Sequence, residues 1–245
     1  MSSGNVRNVE KVAEMLIEYL RKMDKVVLAF SGGVDSSLLA YMLRLTGVDF
    51  KAVMVVTEFI SGRRVAEAVK TSRELGFGLL ILRRRATEEM LRNDGMRCYY
   101  CKRMIFSEIR NLYPLHTIFD GTNASDLKRR RPGLRALREF NILSPFAELG
   151  VDKETVRELA KHFNLDFYDR PSDSCLATRI FGKITKEKLE FVDVAERVAE
   201  KVILRSLRSS GQNSQPIPRL RVRVRASKRL GKPDNYFEIF LWDSY

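Results

Sequence analysis

The sequence predicts an α/β fold, with a parallel sheet flanked by helices and then a smaller module that mixes helix and strand. In the first half of the chain, short apolar runs alternate with stretches of helical periodicity. Two polar loops lie at the C-terminal ends of two of these runs: SGGVDSS (31–37) and DGTNASD (120–126). Towards the C-terminus, apolar residues alternate with polar ones as in strands. We therefore expect a first domain over residues 1–172 and an α+β module over 173–245.

The parallel sheet is predicted from four strands and the helices between them. Strands are expected at 26–30, 48–59, 77–84 and 117–123, and helices at 6–23, from near Asp35 to 47, and at 63–76. Strand–helix–strand alternation implies parallel pairs joined by right-handed crossovers. Ligands bind such sheets at the carboxyl ends of the strands, and both polar loops are expected there.

The second part of the chain begins with helical periodicity and ends in strands. Helices are predicted at 154–164 and 184–207, strands at 219–227 and 235–242, and a polar, proline-containing linker at 211–219. We place the change of domain near residues 170–185.

The chain is strongly basic, with 44 Lys and Arg against 31 Asp and Glu and a formal charge of +13. Such a balance attracts anions, which include nucleic acids, nucleotides and polyphosphates. It is also typical of the charged, solvated surface of thermophile proteins. The excess is concentrated between Lys201 and Lys232, where ten Lys and Arg occur without an Asp or Glu.

The sequence argues against membrane, secreted and disulfide-stabilised classes of protein. No apolar run approaches the about 20 residues that cross a bilayer. The N-terminal MSSGNVRNVEKV lacks the apolar core of a signal peptide. Three cysteines are an odd number, which argues against a disulfide framework. We therefore expect a cytoplasmic protein.

The heptapeptide SGGVDSS has the composition of a phosphate-binding turn. Gly32 and Gly33 allow a tight turn that brings backbone N–H groups against an anion, and the following helix adds the positive end of its dipole. Asp35 is placed to hold a magnesium ion bound to the phosphates. The alternative is an ordinary turn between strand and helix. The residues predicted to contact phosphate groups are Ser31, Gly32, Gly33, Val34, Asp35, Ser36 and Ser37.

The heptapeptide does not have the pattern of a P-loop NTPase. It resembles the PP-loop of the ATP-pyrophosphatase superfamily. Enzymes of that superfamily cleave ATP between the α- and β-phosphates, hold the departing pyrophosphate in this loop and adenylate an oxygen of the substrate. The resemblance implies a PP-loop domain of the adenine nucleotide alpha hydrolase-like fold, which binds ATP and Mg²⁺ at residues 31–37.

The second polar loop contains Thr122, Asn123 and Asp126. Such side chains orient ATP or magnesium, or close the loop with side-chain caps. We favour the loop role for Asn123 and assign none to Asp126. Both loops are expected to lie beside each other, because both follow strands of one sheet.

Two of the three cysteines, Cys98 and Cys101, stand in RCYYCKR, and Cys175 is far downstream. A zinc site normally takes four protein ligands, and neither His116 nor His162 has the spacing of a metal site. Three thiolates suit a 4Fe–4S cluster that leaves one iron open to a further ligand. From spacing alone, a buried structural set of cysteines and a dithiol redox pair are the alternatives.

Several motifs together resemble the LarE family of ATP-dependent sulfur transferases, which act in biosynthesis of the nickel-pincer nucleotide cofactor. The motifs occur in one order: SGGVDSS, RCYYCK, DGTNASD, RPGLRALREFNILSPFAELGVDKETVRELAKHFNL, DRPSDSCLATRI and RVRVR. Members of that family adenylate a pyridinium dicarboxylate mononucleotide, and a sulfur nucleophile then displaces AMP to leave a thiocarboxylate. The resemblance implies the same reaction for this chain.

Two versions of the sulfur step occur in that family. In one, a cysteine that matches Cys175 donates its own sulfur and becomes dehydroalanine. In the other, this cysteine joins a CxxC pair to bind a 4Fe–4S cluster whose open iron carries a sulfide. Because Cys98 and Cys101 are present, the resemblance favours the cluster version and an external sulfide source. The basic residues that flank the pair are expected to lower the pKa values of the thiols.

By the same resemblance, Arg223 and Arg225 match arginines that bind the substrate phosphate, with Arg221 a near neighbour. The pattern alone places them on one face of a strand, which also fits a solvated edge. Glu196 matches an active-site glutamate of the family, and Arg179 is a predicted phosphate contact beside the third cysteine. The stretch SSGQNSQPIP before the arginines departs from the relatives.

Two other functions fit parts of the sequence. A tRNA thiolation enzyme shares the PP-loop chemistry and the three-cysteine cluster, and the positive charge suits tRNA. The additional CxxC zinc motifs usual in that group are absent from the sequence. A protein that binds ATP without turnover is the second alternative. We favour a sulfur transferase for a nucleotide-like small molecule, with tRNA as a less favoured partner and a homo-oligomer as the expected assembly.

Overall fold

The computed structural model describes residues 3–128, 131–209, 221–226 and 237–242. Its helices are α1 (Ser3–Arg21), α2 (Val34–Thr46), α3 (Gly62–Glu74), α4 (Glu88–Leu91), α5 (Arg97–Leu112), α6 (Ala124–Leu127), α7 (Gly133–Glu139), α8 (Pro145–Glu148), α9 (Lys153–His162) and α10 (Lys186–Ser209), with a 3₁₀ turn at Leu176–Arg179. Its strands are β1 (Lys25–Ala29), β2 (Asp49–Val56), β3 (Leu79–Arg83), β4 (Thr117–Phe119), β5 (Arg221–Ala226) and β6 (Phe237–Trp242). Within these residues, no helix is long and apolar enough to span a bilayer.

The first four strands form a parallel sheet in the order β3-β2-β1-β4, which confirms the predicted fold class. β1 places Leu28 opposite Ala52 of β2 on one side and opposite Phe119 of β4 on the other. After β3 the chain therefore crosses to the opposite side of β1. In such sheets the ligand crevice opens between the two strands at the reversal. Those strands are β1 and β4, and the two polar loops follow them.

The two faces of the sheet bury different side chains of the same strand. Leu28 packs with α1, α2 and α9 in one apolar cluster, whereas Val27 packs with α5 and α7 in another. Both side chains are completely buried. This is why the first strand is a continuous apolar run and not an alternating one. Packing on both faces fixes the carboxyl ends of the strands, where the site lies.

Sequence periodicity does not predict α5, which begins at Arg97 and carries Cys98 and Cys101 among its first five residues. Residues three apart on a helix lie on the same side. Both thiols therefore leave the helix on one side, at its N-terminal end. Phe106 and Ile109, further along the helix, are buried against the sheet and hold α5 in place.

The segment that leads into α10 packs on the sheet domain through a third apolar cluster. Leu176, Ile184 and Val192 are buried there with Phe59 and Met90 from the first part of the chain. Residues before and after the predicted domain boundary therefore pack in one hydrophobic core. The division of the chain at residue 172 stays a prediction.

The last two strands lie where the sequence predicts strands. β5 and β6 pair antiparallel, with Arg223 opposite Phe240, and β5 runs beside α10 and the 3₁₀ turn. β5 carries the three arginines predicted to bind substrate. Their side chains lie outside what the structure describes, as do residues 210–220.

Candidate active site

A cleft of about 830 Å³ opens at the carboxyl edge of the sheet. The loops after β1 and β4 line it, together with residues 172–175. Phe30, Met54 and Ile60 make one part of the lining apolar, and the 120–126 loop makes another part polar. A volume of this order is typical of small-molecule sites, which measure about 300–1,000 Å³.

Gly32 and Ser36 shape the turn that follows β1. Gly32 has a φ of +72°, and a Cβ there would come within 2.8 Å of the Ala68 Cβ, so only glycine fits without movement. Ser36 Oγ donates to the Gly33 carbonyl at 3.2 Å and accepts from the Ser31 amide at 3.3 Å. α2 begins directly after the turn. Its N-terminus brings the positive end of the helix dipole to the cleft.

Ser37 is the exception within the heptapeptide. Its side chain is completely buried, and its Oγ has no hydrogen-bond partner among the described residues. The other six residues of SGGVDSS line the cleft or the space beside it. The structure therefore places Ser37 in the core and not at the predicted phosphate contacts.

Asp35 is held at the cleft by a residue of the second loop. Asn123 Nδ2 donates to Asp35 Oδ1 at 2.8 Å, while Asn123 Oδ1 accepts from the Asp126 amide and caps α6. Burial raises the pKa of Asp35 above its usual value; the Asn123 hydrogen bond opposes this shift, and the nearby Asp126 carboxylate adds to it. The capping role of Asn123 agrees with its predicted loop role. Two carboxylates thus face one cleft, an arrangement that suits a magnesium ion bound to phosphates.

A smaller space of about 140 Å³ adjoins the glycine turn and is lined by charged groups. Its cations are Arg64, Lys153, Arg157 and Arg170, and its carboxylates are Asp35, Glu67 and Asp173. Arg64 Nε donates to the Ser31 carbonyl and Arg170 Nη1 to the Gly32 carbonyl, each at 3.1 Å. Arginines and lysines pair with phosphate and carboxylates bind magnesium. The sequence gives no local indication of these cations, because they come from α3, α9 and the segment after α9.

Two of the three cysteines, Cys101 and Cys175, pack against the same apolar cluster beside the cleft. Cys98 is exposed, Cys101 and Cys175 are partly buried, and Cys175 lines the cleft. Burial and the neighbouring thiols raise the pKa of Cys101 to about 12, and burial raises the pKa of Cys175 above its usual value. The expectation that basic neighbours lower the pKa values is wrong for these two thiols, because burial outweighs the nearby positive charges.

Arg97 joins the two segments that carry the cysteines. It donates to Cys98 Sγ at 3.7 Å and to the Ala177 carbonyl at 3.0 Å, and so it links α5 to the 3₁₀ turn. Within the described ranges, no three His, Cys, Asp or Glu side chains form a group that could hold a metal ion. The predicted 4Fe–4S cluster therefore rests on the donor set and on the resemblance.

Arg179 and Glu196 form a buried ion pair beside Cys175. Arg179 Nε lies 3.0 Å from Glu196 Oε1, and its Nη2 lies 3.2 Å from Asp173 Oδ1. Arg179 Nη1 also donates to the Cys175 carbonyl at 2.8 Å. The structure thus brings both predicted residues to the third cysteine. Because the guanidinium is directed at protein groups, its contact with a substrate phosphate stays a prediction.

Comparison with known proteins shows that the chain has relatives in several organisms. No family model matches it. It is 32% identical over 192 residues to an uncharacterized protein of Methanocaldococcus jannaschii, which covers 76% of this chain and 74% of the relative. It is 30% identical over 246 residues to an uncharacterized protein of Synechocystis, with 96% of this chain and 86% of the relative covered.

Two further relatives have names that state an activity. The chain is 28% identical over 199 residues to the pyridinium-3,5-bisthiocarboxylic acid mononucleotide synthase of Lactiplantibacillus plantarum, covering 78% of this chain and 71% of the synthase. It is 32% identical over 221 residues to the glutamine-hydrolyzing GMP synthase of Thermus thermophilus, covering 77% of this chain and 43% of that synthase. The sheet, its glycine turn and these similarities agree: the chain belongs to the family of the M. jannaschii and Synechocystis proteins, within the PP-loop superfamily.

Proposed function

We propose that the protein is an ATP-dependent sulfur transferase. It adenylates a carboxylate of a pyridinium mononucleotide, releases pyrophosphate and then exchanges the AMP-bearing oxygen for sulfur. The observation that carries the proposal is that Cys175 lines the cleft that also contains the glycine turn, while Cys101, from a distant segment, packs against the same apolar cluster as Cys175. The similarity to the L. plantarum synthase, whose name states a bisthiocarboxylic acid mononucleotide, supports the choice of acceptor.

The glycine turn and the two carboxylates serve the adenylation step. A carboxylate oxygen of the substrate attacks the α-phosphorus of ATP, and the bond from this phosphorus to pyrophosphate breaks. The nucleophile is already deprotonated, so the step needs no general base. Backbone N–H groups of the turn and the α2 N-terminus bind the leaving pyrophosphate. Asp35 and Asp126 are placed to bind the magnesium ion that accompanies ATP.

The cysteines serve the sulfur step, in which a sulfur nucleophile attacks the acyl carbon and AMP leaves with the bonding electrons. Cys98, Cys101 and Cys175 would hold a 4Fe–4S cluster, because a set of three cysteine donors suits a cluster with one open iron. When bound, such a cluster supplies a coordination position for sulfide. The alternative sulfur source is Cys175 itself, whose side chain lines the cleft.

Pyrophosphate release tests the adenylation step. With Mg-ATP and pyridinium-3,5-dicarboxylic acid mononucleotide, the wild-type protein should release pyrophosphate only when both substrates are present. Asp35→Asn should lower this rate by about 100-fold or more, because the magnesium complex loses a ligand. Burial already disfavours the charged form of Asp35, so the variant should keep wild-type stability.

Asp49→Asn is the matched control, because Asp49 is an exposed carboxylate at the opposite edge of the sheet. Equal rates for Asp35→Asn and wild type would contradict the assignment of the turn. Release that requires tRNA, and not the mononucleotide, would favour tRNA thiolation.

The products of the same reaction identify the sulfur source. Intact Cys175 after turnover, with about four irons per chain in anaerobically purified protein, would support the cluster. Loss of the mass of H2S from Cys175 would support direct donation by this residue. Pyrophosphate release without any thiocarboxylate would contradict a sulfur transferase.

A further inference from the structure

Lys102 extends from α5 into the cleft, where its ammonium lies 3.0 Å from Asp120 Oδ2 and 3.5 Å from Thr122 Oγ1. Its stem passes over Gly133, where a Cβ would come within 3.1 Å of Lys102 Cδ. The ammonium also lies 5.8 Å from the centre of the Phe106 ring. These contacts hold a flexible side chain in one direction within the cleft.

Asp120 is a rigid support for this ammonium. Its Oδ1 accepts from Ser144 Oγ at 2.6 Å and from the Thr122 amide at 3.1 Å, and its Oδ2 accepts from Thr122 Oγ1 at 2.7 Å. Burial alone would raise the pKa of Asp120, but the charge of Lys102 and these hydrogen bonds hold the pKa below its usual value. Asp120 is therefore an anion at neutral pH, fixed from three directions.

Lys102 lines the same cleft as the phosphate turn and Cys175. Gly121, next to Asp120, packs so closely on the start of α2 that a Cβ would come within 2.8 Å of the Ser36 amide nitrogen. On the other side, Lys102 directly follows Cys101 in α5, and Cys101 packs against the same apolar cluster as Cys175. An acyl group that is adenylated at the turn and then attacked by sulfur from the cysteines has its reacting atoms between these two places.

We propose that Lys102 is a catalytic residue that binds the α-phosphate of ATP and of the acyl adenylate. The inference rests on the proposed function. As the carboxylate–phosphorus bond forms and the bond to pyrophosphate breaks, negative charge builds on the non-bridging oxygens of the α-phosphate. A preorganised ammonium stabilises that charge. In the sulfur step the same ammonium stabilises AMP, which departs as an anion with the bonding electrons. Asp120 is the positioning residue of Lys102.

Three variants separate this role from a purely structural ion pair. Lys102→Gln keeps an N–H donor for Asp120 but removes the positive charge. The double variant Lys102→Gln/Asp120→Asn removes both charges, so that no buried carboxylate is left without its cation. Lys22→Gln, at an exposed lysine directly after α1, is the control. Each protein is assayed for pyrophosphate release with Mg-ATP and pyridinium-3,5-dicarboxylic acid mononucleotide, and its melting temperature is measured.

Lys102→Gln should lower kcat by about 100-fold and change the KM for ATP by less than about threefold. Its melting temperature should fall, because Asp120 loses its counter-charge. The double variant should regain the wild-type melting temperature but not the wild-type kcat. It therefore distinguishes a catalytic Lys102 from a structural ion pair even if Lys102→Gln does not fold.

Recovery of both kcat and melting temperature in the double variant would overturn the inference, because the pair would then be only structural. A kcat of Lys102→Gln within about threefold of wild type would overturn it too. A wild-type protein that releases no pyrophosphate would instead overturn the proposed function, so the two failures are distinguishable.

Discussion

The guanidinium of Arg179 organises the loop that carries Cys175. It donates to the carbonyls of Ser174 and Cys175 at 2.7 and 2.8 Å, and it pairs with Asp173 and Glu196. A buried cation is compatible with a stable fold only when it is paired and hydrogen-bonded. The loop conformation that brings the thiol to the cleft therefore depends on this side chain.

Arg179→Met should lower the free energy of unfolding by about 3–5 kcal/mol, because buried Glu196 and partly buried Asp173 lose this guanidinium. Denaturant unfolding measures the loss. The control is Arg197→Met, on the exposed side of α10, whose pair with Asp193 is partly solvated and should contribute about 0–1 kcal/mol. Equal losses in the two variants would show that Arg179 does not organise the loop.

At the scale of elements, the turn between β1 and α2 leaves no room for a larger side chain at Gly32. The left-handed Gly32 packs on Ala68 of α3, whereas Gly33 has an extended conformation with a φ of −81°. A Cβ on Gly33 would meet Ser31 Oγ at 3.5 Å, an ordinary contact. A Cβ therefore fits at Gly33 but not at the adjacent Gly32.

Gly32→Ala should lower the free energy of unfolding by about 1–2 kcal/mol from the left-handed conformation alone. The contact with Ala68 adds to this loss and displaces the turn, so ATP binding measured by calorimetry should fall below detection. Gly33→Ala is the matched comparison for stability, with an expected change below about 1 kcal/mol. Similar stability losses at the two positions would contradict the geometry of the turn.

The sheet and its two loops could be predicted because each strand is an apolar run that ends in a polar turn. α5 could not, because basic and aromatic residues interrupt the apolar spacing of RCYYCKR. The sequence also could not predict which residues contact each other within the site, because periodicity indicates only local conformation. The bond between Asn123 and Asp35 joins residues 88 positions apart. The burial that raises the pKa values of two thiols likewise depends on distant segments.

For the molecule as a whole, the basic C-terminal strand belongs to the same region as the cysteines. β5 runs beside the 3₁₀ turn that follows Cys175. β5 therefore contributes three arginines from late in the sequence to this region: Arg221, Arg223 and Arg225. We predict that these arginines bind the substrate phosphate while the glycine turn binds ATP, and the position of β5 supports this prediction.

Arg223→Gln and Arg225→Gln should each raise the KM for the mononucleotide by about tenfold, because a charge-assisted phosphate contact is lost. The KM for ATP should change little. A substrate without its phosphate should be bound equally by variants and wild type, and Lys22→Gln should behave as wild type. A larger effect on ATP than on the mononucleotide would reassign the arginines to the nucleotide.

The three cysteines lie in two distant stretches of the sequence, and this separation affects the order in which they are synthesised. Cys98 and Cys101 leave the ribosome with the start of α5, whereas Cys175 follows only after α6–α9 have been synthesised. A nascent chain therefore lacks the third thiol until about residue 175 of 245 has been synthesised. A cluster held by the three thiols would thus be loaded only after all four strands of the sheet have been made.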